Sequence, residues 1–291
     1  MTDRLQEPLQ ESAALAHALA AQYCVRDSAT GESCAWYHGL WQVLRLMRLV
    51  ETPEYHAAFF FEALASHAPP GRRARVLVSG TADYSMLAHV LAAYPAGSVP
   101  EVTVVDRCET PLALSRWYAG RAGVAIETKR CDILQYRPAE PFDALCTHAF
   151  FGRFSPAERP VLAERWRELL RPGGIAVSAA PLRPGAAAGK AGFGEADAAR
   201  LRDTVRERAA GLREALGLPP EALAAEAARY AARHRVYPVR DLAELRDLFA
   251  SAGFDIAHLV HVPAVPGVLH EVRGPTIVGS ADYARLVAVR R

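Results

Sequence analysis

The amino-acid sequence predicts an α/β fold built on a mostly parallel sheet. Between Arg75 and about Pro181, short apolar runs alternate with helical patterns. This alternation is typical of parallel strands joined by right-handed crossover helices. A glycine turn follows the first of these strands, and an acidic residue ends the second. The last two predicted strands have no helix between them, which favours an antiparallel pair at the sheet edge.

Hydrophobic periodicity predicts where the individual elements lie. Large apolar residues at three- and four-residue spacing define the helices, and short apolar runs bounded by Gly or Pro define the strands. Helices are predicted at 11–23, 36–50, 52–67, 83–94, 109–120, 156–170, 195–216, 220–235 and 240–252. Strands are predicted at 75–79, 102–106, 124–128, 143–148, 174–180, 254–262 and 283–289.

These elements divide the chain into three parts. Residues 1–70 contain only helical patterns, so we expect an N-terminal helical lid. Residues 71–183 and 237–291 are expected to form the core that contains the sheet. Residues 184–236 begin with an Ala/Gly-rich stretch and continue as two charged, alanine-rich helices. They are expected to form a helical insertion that covers the site.

A glycine turn and an acid point to a nucleotide ligand. The first strand ends at a turn containing Gly80, and Asp106 closes the second strand. Glycine lets the backbone approach a ligand closely, and an acid at this position can accept hydrogen bonds from both ribose hydroxyls. The second and third glycines of the dinucleotide pattern are absent. The pattern predicts an adenosine-containing cofactor.

Composition limits the classes of partner. The 291 residues are 51% hydrophobic and 23% charged, the net charge is +2, and the 34 Lys and Arg residues are spread along the chain. This distribution disfavours nucleic-acid binding and favours a small-molecule substrate. A signal-peptide pattern is absent, and no apolar run reaches membrane-spanning length. A cytoplasmic protein that does not associate with membranes is therefore expected.

Cysteine and histidine patterns predict no metal site. The five cysteines are odd in number and lack CxxC spacing, which disfavours a disulfide framework and a zinc ribbon. Most are expected to be reduced structural thiols. The ten histidines do not pair with acids or cysteines at ligand spacing. His258 and His261, three apart on a predicted strand, should face opposite sides.

Four segments, in the right order, resemble the class I S-adenosylmethionine (SAM)-dependent methyltransferases. They are the Gly80 turn, Asp106, the segment 129–134, and the segment 142–151 followed by the turn 166–174. The resemblance covers residues 75–180 and 240–290. It implies a Rossmann-like, seven-stranded sheet with an antiparallel last strand, and SAM as the cofactor.

The resemblance also implies which residues hold SAM. Asp106 would bind the ribose and Asp132 the adenine amino group, with the backbone of Ile133 against the ring. The full set of expected cofactor-binding residues is Gly80, Ala82, Asp83, Tyr84, Ser85, Asp106, Arg107, Asp132, Ile133, His148 and Phe150.

The first turn departs from the family pattern at the methionine end of SAM. Val78 occupies the position of the usual acid, and Ala82 and Tyr84 replace the later glycines. Asp83 is expected either to supply the missing acid or to cap the next helix, as Asp often does. Asp106 preserves the adenosine end.

The candidate catalytic residues are His148, Tyr37 and His38. His148 closes the fourth strand, where it is either a general base or a buried structural histidine. In small-molecule relatives, N-terminal helices cover the cofactor site, so Tyr37 and His38 are expected at the cavity unless they belong to a packing stripe. Tyr230 and His234 share one helical face and are expected either in the cavity or on a solvated surface.

Methyl transfer from SAM is an in-line displacement that needs a positioned acceptor and exclusion of water. Helical subdomains at the carboxyl edge of the sheet would form a closed chamber, which favours a small acceptor. We therefore predict O- or N-methylation of a small metabolite or natural-product intermediate. The oligomeric state stays open, a homodimer included.

Two alternatives remain open at this stage. The altered first turn is compatible with an enzyme that cyclises SAM to azetidine-2-carboxylate and releases methylthioadenosine. A non-catalytic SAM-binding module is the other alternative. Asp106 and Asp132 argue for cofactor binding but do not establish turnover.

Overall fold

The protein is described here by a computed structural model that covers residues 7–24, 33–186, 189–265 and 272–291. Its strands form one mixed sheet. They are β1 (Arg75–Ser79), β2 (Glu101–Asp106), β3 (Glu127–Arg130), β4 (Phe142–His148), β5 (Leu170–Leu182), β6 (Phe254–Val262) and β7 (Asp282–Arg290).

The strand order across the sheet is β3-β2-β1-β4-β5-β7-β6. Neighbouring pairs among β1 to β5 are parallel, whereas β7 is antiparallel to both β5 and β6. Six strands therefore run in one direction and β7 runs in the other. This topology confirms the predicted seven-stranded, mostly parallel sheet with an antiparallel last strand, and the final pair lies at one edge with β6 outermost.

Helices cover the sheet on both faces and at its carboxyl edge. Within the described residues, the helices are α1 (Leu9–Tyr23), α2 (Ala35–Leu46), α3 (Ala57–Ser66), α4 (Ser85–Ala93), α5 (Glu109–Arg121), α6 (Arg159–Leu169), α7 (Glu195–Ala210), α8 (Arg213–Leu216), α9 (Pro220–Arg233) and α10 (Leu242–Ser251). None of these helices combines the length and the apolar character needed to cross a lipid bilayer.

Several predicted elements have other bounds in the structure, and for three of them the reason is local. The second helix ends at Leu46 because the chain turns sharply after it, with Arg48 at a left-handed φ of 56°. The helix predicted over 195–216 is interrupted at Gly211, a residue of low helix propensity. The third strand lies two to three residues later than predicted, because its register is determined by pairing with β2.

The central strands of the sheet are buried on both faces, as expected when helices cover a parallel sheet. Val76 and Val78 pack on one side with helices α3, α4 and α5, whereas Leu77 packs on the other side with α6 and α10. Successive side chains of a strand point to opposite faces. Trp166 of α6 is fully buried on the same side of the sheet as Leu77, and its indole Nε1 donates to Ser79 Oγ at 3.2 Å.

A third apolar layer joins the N-terminal helices to the insertion. Leu40 and Leu44 of α2 pack with Leu201 and Val205 of α7 and with Tyr230 of α9, and all five side chains are buried. The predicted division into lid, core and insertion stays a prediction. What the packing shows is that α2 lies against α7 and α9.

Asp143 at the start of β4 ties several segments to the opposite, amino edge. Its carboxylate accepts the Arg75 backbone N–H of β1 at 2.8 Å and the Arg72 guanidinium at 2.7 Å, and Arg171 lies 2.9 Å away. The side chain is 8% exposed. Burial opposes the charged form, but the Arg72 hydrogen bond and the other donors outweigh it and lower the pKa of Asp143.

Asp143→Ala should therefore lower the free energy of unfolding by about 1–3 kcal/mol, because it leaves the Arg75 N–H without an acceptor. Urea unfolding followed by circular dichroism measures this change. Asp203→Ala is the matched control: Asp203 pairs with Arg202 and Arg206 on the exposed surface of α7. We expect its unfolding free energy to stay near that of the wild type. Equal effects of both variants would contradict this interpretation.

Candidate functional site

A cavity of about 480 Å³ lies at the carboxyl ends of the central strands. Gly80 follows β1, Asp106 ends β2 and His148 ends β4, and all three residues line the cavity. They meet because parallel strands present their carboxyl ends at the same sheet edge. The volume falls in the range of pockets that hold small molecules and cofactors.

Gly80 is required at its position for two reasons. Its φ is +67°, a left-handed conformation that disfavours residues with a side chain. A Cβ added there would also collide with the ring of Phe150. The Gly80 N–H donates to Val105 O at 2.9 Å, which ties the turn to the end of β2. The predicted glycine turn therefore lies at the cavity, with an aromatic ring over it.

The turn after β4 is strained. Ala149 has a φ of +53°, and its N–H donates to Ala179 O of β5 at 2.9 Å. A left-handed alanine costs on the order of 1–2 kcal/mol, and such strain concentrates at functional sites. The turn directs Phe150 to the cavity, whereas Phe151 is fully buried in the core.

Asp106 connects two backbone turns. Its Oδ2 accepts the Thr81 N–H at 3.0 Å, and its Oδ1 accepts the Cys108 N–H at 2.8 Å. Burial raises the pKa of Asp106, and the charge of His38 and these two N–H donors oppose that rise. Each oxygen keeps a second lone pair, so the carboxylate can still accept two hydroxyl groups of a ligand.

Three of the predicted adenosine-binding residues lie beside Asp106 in the cavity lining. Asp132 Oδ1 accepts the Leu134 N–H at 3.0 Å, and Arg107 Nε lies 3.9 Å from Asp132 Oδ2. Ile133 is buried and presents an apolar surface to the cavity. The loop after β3 thus offers one acid and one apolar side chain together, next to the end of β2.

Asp83 lines the cavity and also accepts hydrogen bonds from neighbouring groups of the protein. Its Oδ2 accepts Trp41 Nε1 at 2.8 Å and Arg45 Nη1 at 3.0 Å, and its Oδ1 accepts the Ser85 N–H at the start of α4. Arg45 also donates to both oxygens of Glu7 at 2.8 Å. Burial disfavours the guanidinium cation, but Asp83 and Glu7 outweigh it and raise the pKa of Arg45. Two carboxylates share one guanidinium, so the group carries a net negative charge.

The structure corrects the expectation for Tyr84. Its side chain is fully buried, stacks on Tyr118 with ring centroids 4.6 Å apart, and places its hydroxyl 3.1 Å from Ser12 Oγ. It does not line the cavity, because α4 directs it into the core between the sheet and α1. Ala82 and Ser85, on either side of it in sequence, do line the cavity.

Both N-terminal candidates reach the cavity, in different surroundings. Tyr37 stacks on Trp41 and Tyr230, with ring centroids 5.3 and 5.9 Å away, and the Arg153 guanidinium lies 4.7 Å from the centre of its ring. Burial raises the pKa of Tyr37. His38 is 7% exposed, and its Nδ1 lies 3.5 Å from Cys24 Sγ.

His148 faces the cavity in a group of aromatic side chains. Its ring lies 5.5 Å from His56 and 5.7 Å from Tyr283, and its buried Nε2 has no hydrogen-bond partner among the described residues. Burial, followed by the charges of His56 and His89, holds the pKa of His148 well below its usual range. His148 is therefore a neutral imidazole at pH 7.

Several lining residues were missed or left open by the sequence analysis. Arg153 and Tyr237 line the cavity without having been predicted. Arg153 could have been found as the cation that follows the β4 turn, whereas Tyr237 carried no sequence signal.

His234 also lines the cavity and is fully buried, so the alternative that it lies on a solvated helix surface is excluded. Burial and the charge of Arg153 hold the pKa of His234 well below its usual range.

Three of the five cysteines, all of which are free thiols, lie close to one histidine. Cys24, Cys34 and Cys108 converge with His38 so that one ligand atom of each lies within 4.8 Å of the others. The four residues come from the end of α1, the start of α2 and the β2–α5 junction. Sequence spacing could not reveal them because the chain brings them together from three segments.

Comparisons with known proteins were made for the sequence and for the fold. No family model matches the sequence. A stretch of 43 residues is 44% identical to the probable thiol methyltransferase 2 of Arabidopsis thaliana, and it spans 15% of this chain and 19% of that protein. A match of that length identifies a local likeness only.

Solved structures match over most of the chain. The Burkholderia thailandensis 1,6-didemethyltoxoflavin-N1-methyltransferase, bound to 1,6-didemethyltoxoflavin and S-adenosylhomocysteine, has a TM-score of 0.52 at 17% identity. The match covers 98% of this chain and 91% of that chain. The N-methyltransferase NodS of Bradyrhizobium japonicum WM9, with S-adenosylhomocysteine, has a TM-score of 0.50 at 14% identity and covers 88% and 98% of the two chains. The chain therefore has the Rossmann-like fold of the SAM-dependent methyltransferases.

Proposed function

We propose that this protein is a SAM-dependent methyltransferase that modifies an oxygen or nitrogen atom of a small metabolite. One observation carries the proposal. The Gly80 turn, Asp106 and Asp132 line one cavity, in the order that suits the methionine, ribose and adenine parts of SAM. The two solved structures of similar fold that contain S-adenosylhomocysteine support this choice of cofactor.

The residues present fit this cofactor at both ends. Asp106 has free lone pairs for the two ribose hydroxyls, and Asp132 with Ile133 suits the edge and face of adenine. At the methionine end, Asp83 belongs to the group that carries a net negative charge with Arg45 and Glu7. A negative group there favours the ammonium of SAM. Asp83 thus supplies the negative charge that the family's usual acid before Gly80 would supply, although it lies at a different position in the turn.

The rest of the cavity suits a planar acceptor that carries a negative charge. Trp36, Tyr37 and Tyr237 provide aromatic surface, and the Arg153 guanidinium lies over one of these rings. Aromatic faces stack on planar rings, and an arginine favours a carboxylate or phenolate nearby. Hydroxylated and aminated aromatic acids are therefore the first acceptors to test.

SAM supplies an activated methyl group, and the protein's own residues position the acceptor. Residues of α2 line the cavity and α2 packs against α7 and α9, so these helices limit the access of water to the proposed methyl-transfer site. His148 lies at the cavity with an unpartnered Nε2, and this position suits a group that removes the acceptor proton as the methyl group arrives, although burial makes the imidazole a weak base.

The first experiment identifies the adenosine product. Pure protein is incubated with SAM alone and with a panel of aromatic acids, and the products are identified by mass spectrometry. We expect S-adenosylhomocysteine only when an acceptor is present, together with an acceptor that is heavier by one methylene. Formation of methylthioadenosine without an acceptor would contradict the proposal and indicate SAM cyclisation instead. Tight binding without turnover on any acceptor panel or cell extract would indicate a binding module.

The ribose contact can be tested without knowing the acceptor. Asp106→Asn should weaken SAM binding at least about tenfold, because a charged hydrogen bond contributes roughly 1.5–3 kcal/mol. Isothermal titration calorimetry measures the dissociation constant. Asp255→Asn is the control, since Asp255 lies on β6 with a side chain that is 73% exposed. An unchanged affinity in Asp106→Asn would refute the cofactor assignment.

The role of His148 has a kinetic signature. His148→Gln should lower kcat by about 10²- to 10⁴-fold and change SAM affinity much less. Because the pKa of His148 lies well below 6.5, wild-type kcat/KM should stay level down to about pH 6.5 and fall only below it. His67→Gln, an exposed histidine that follows α3, is the control. Wild-type turnover in His148→Gln would eliminate this base.

A further inference from the structure

Three thiols and one imidazole meet at a single point where the N-terminal helices contact the sheet-containing core. We propose that Cys24, Cys34, His38 and Cys108 form a structural zinc site, called the Cys₃His site below. The argument for it does not use the methyl transfer proposed above, although Cys34 and His38 also line the cavity. The site would join the end of α1, the start of α2 and the turn after β2.

The measured distances between the ligand atoms are close to those around a tetrahedral zinc ion. Cys24 Sγ and Cys34 Sγ each lie 3.6 Å from Cys108 Sγ, and Cys24 Sγ lies 3.5 Å from His38 Nδ1. Zinc–sulfur bonds of about 2.3 Å and zinc–nitrogen bonds of about 2.0–2.1 Å, at tetrahedral angles, place sulfurs about 3.8 Å apart and sulfur and nitrogen about 3.6 Å apart. Three of the six ligand–ligand distances therefore already have the spacing that a central zinc ion requires, and the other three are no longer than 4.8 Å.

The ligand set selects zinc over harder cations. Thiolate and imidazole groups suit Zn²⁺, whereas Mg²⁺ and Ca²⁺ prefer oxygen ligands. Three cysteines and one histidine fill a tetrahedral shell, which is the composition of structural rather than catalytic zinc sites. On binding, each of the three thiols releases its proton to solvent, and the histidine binds through an unprotonated ring nitrogen. The filled site then carries one net negative charge.

The surroundings stabilise thiolates. Cys34 is the N-cap residue of α2 and Cys108 is the N-cap residue of α5, so two helix N-termini direct their partial positive charge toward these sulfurs. The Thr110 hydroxyl lies 3.1 Å from Cys24 Sγ and can donate to it once the thiol is deprotonated. Such second contacts orient metal ligands.

Few apolar side chains pack at this junction, so a bound metal ion would add stability that apolar packing does not supply there. The buried apolar side chains there are those of Ala20, Cys24 and Cys108, with Cys34 and Ala35 at the margin. A metal ion would cross-link three segments that have little apolar surface to bury. It would also hold the Cys108 N–H against Asp106 Oδ1, the contact that orients the proposed ribose acceptor.

Metal content tests the proposal directly. The full chain is reduced with a non-chelating phosphine, incubated with Zn²⁺ or Co²⁺, desalted and analysed by elemental mass spectrometry. We expect one zinc ion per chain. The Co²⁺ form should show the strong visible bands of tetrahedral cobalt and a near-ultraviolet thiolate-to-cobalt band. The cobalt spectrum uses the wild-type chain, so it does not depend on whether a variant folds.

Variants assign the ligands. Cys34→Ser and Cys108→Ser should lose most of the bound metal, whereas Cys146→Ala should keep it, because Cys146 lies within β4 and outside the Cys₃His site. About a tenth of an ion per wild-type chain or less, or a cobalt spectrum without the thiolate band, would overturn the proposal. A Cys24–Cys108 disulfide in the protein as isolated, found by mass spectrometry without reduction, would also overturn it. None of these readouts uses SAM, so they are independent of the proposed methyl transfer.

Discussion

The parallel register of β1, β2 and β4 is the constraint on which the site depends. Val76 to Val78 of β1 pair in parallel with strands on both sides, so Gly80, Asp106 and His148 emerge at one edge of the sheet. Backbone hydrogen bonds then tie these ends together, from Gly80 N–H to Val105 O and from Thr81 N–H to Asp106. A slip in this register would separate the groups that line the cavity.

Polar groups help to attach the N-terminal helices to that edge. Buried Arg45 of α2 reaches Asp83 at the start of α4, and Trp41 donates to the same carboxylate. The Cys₃His site lies at a second attachment, between α1, α2 and the turn after β2. Buried charges require partners with specific geometry, and here Asp83 supplies a partner to both Arg45 and Trp41. The same attachments bring Tyr37 to the cavity.

Much of this arrangement could be predicted from local patterns. The apolar runs gave β1 and β6 at their observed bounds, and the Gly80 turn and Asp106 were expected at the edge where they lie. Tyr84 shows the limit of such reasoning. It replaces a glycine in a binding turn, yet α4 directs its ring into the core. A side chain's direction depends on where the following helix begins, which a motif does not specify.

Sequence alone determined the α/β class, the order of the elements and the residues at the strand ends, because periodicity and glycine turns are local properties of the chain. Only the tertiary structure decided which distant groups meet: Asp83 with Arg45, Tyr37 with Arg153, and three cysteines with His38. Those contacts join residues that are far apart in sequence, and their geometry follows from how helices pack on the sheet. For this reason the strand-end residues that we propose to bind the cofactor could be recognised in the sequence, whereas those of the proposed acceptor end and of the Cys₃His site could not.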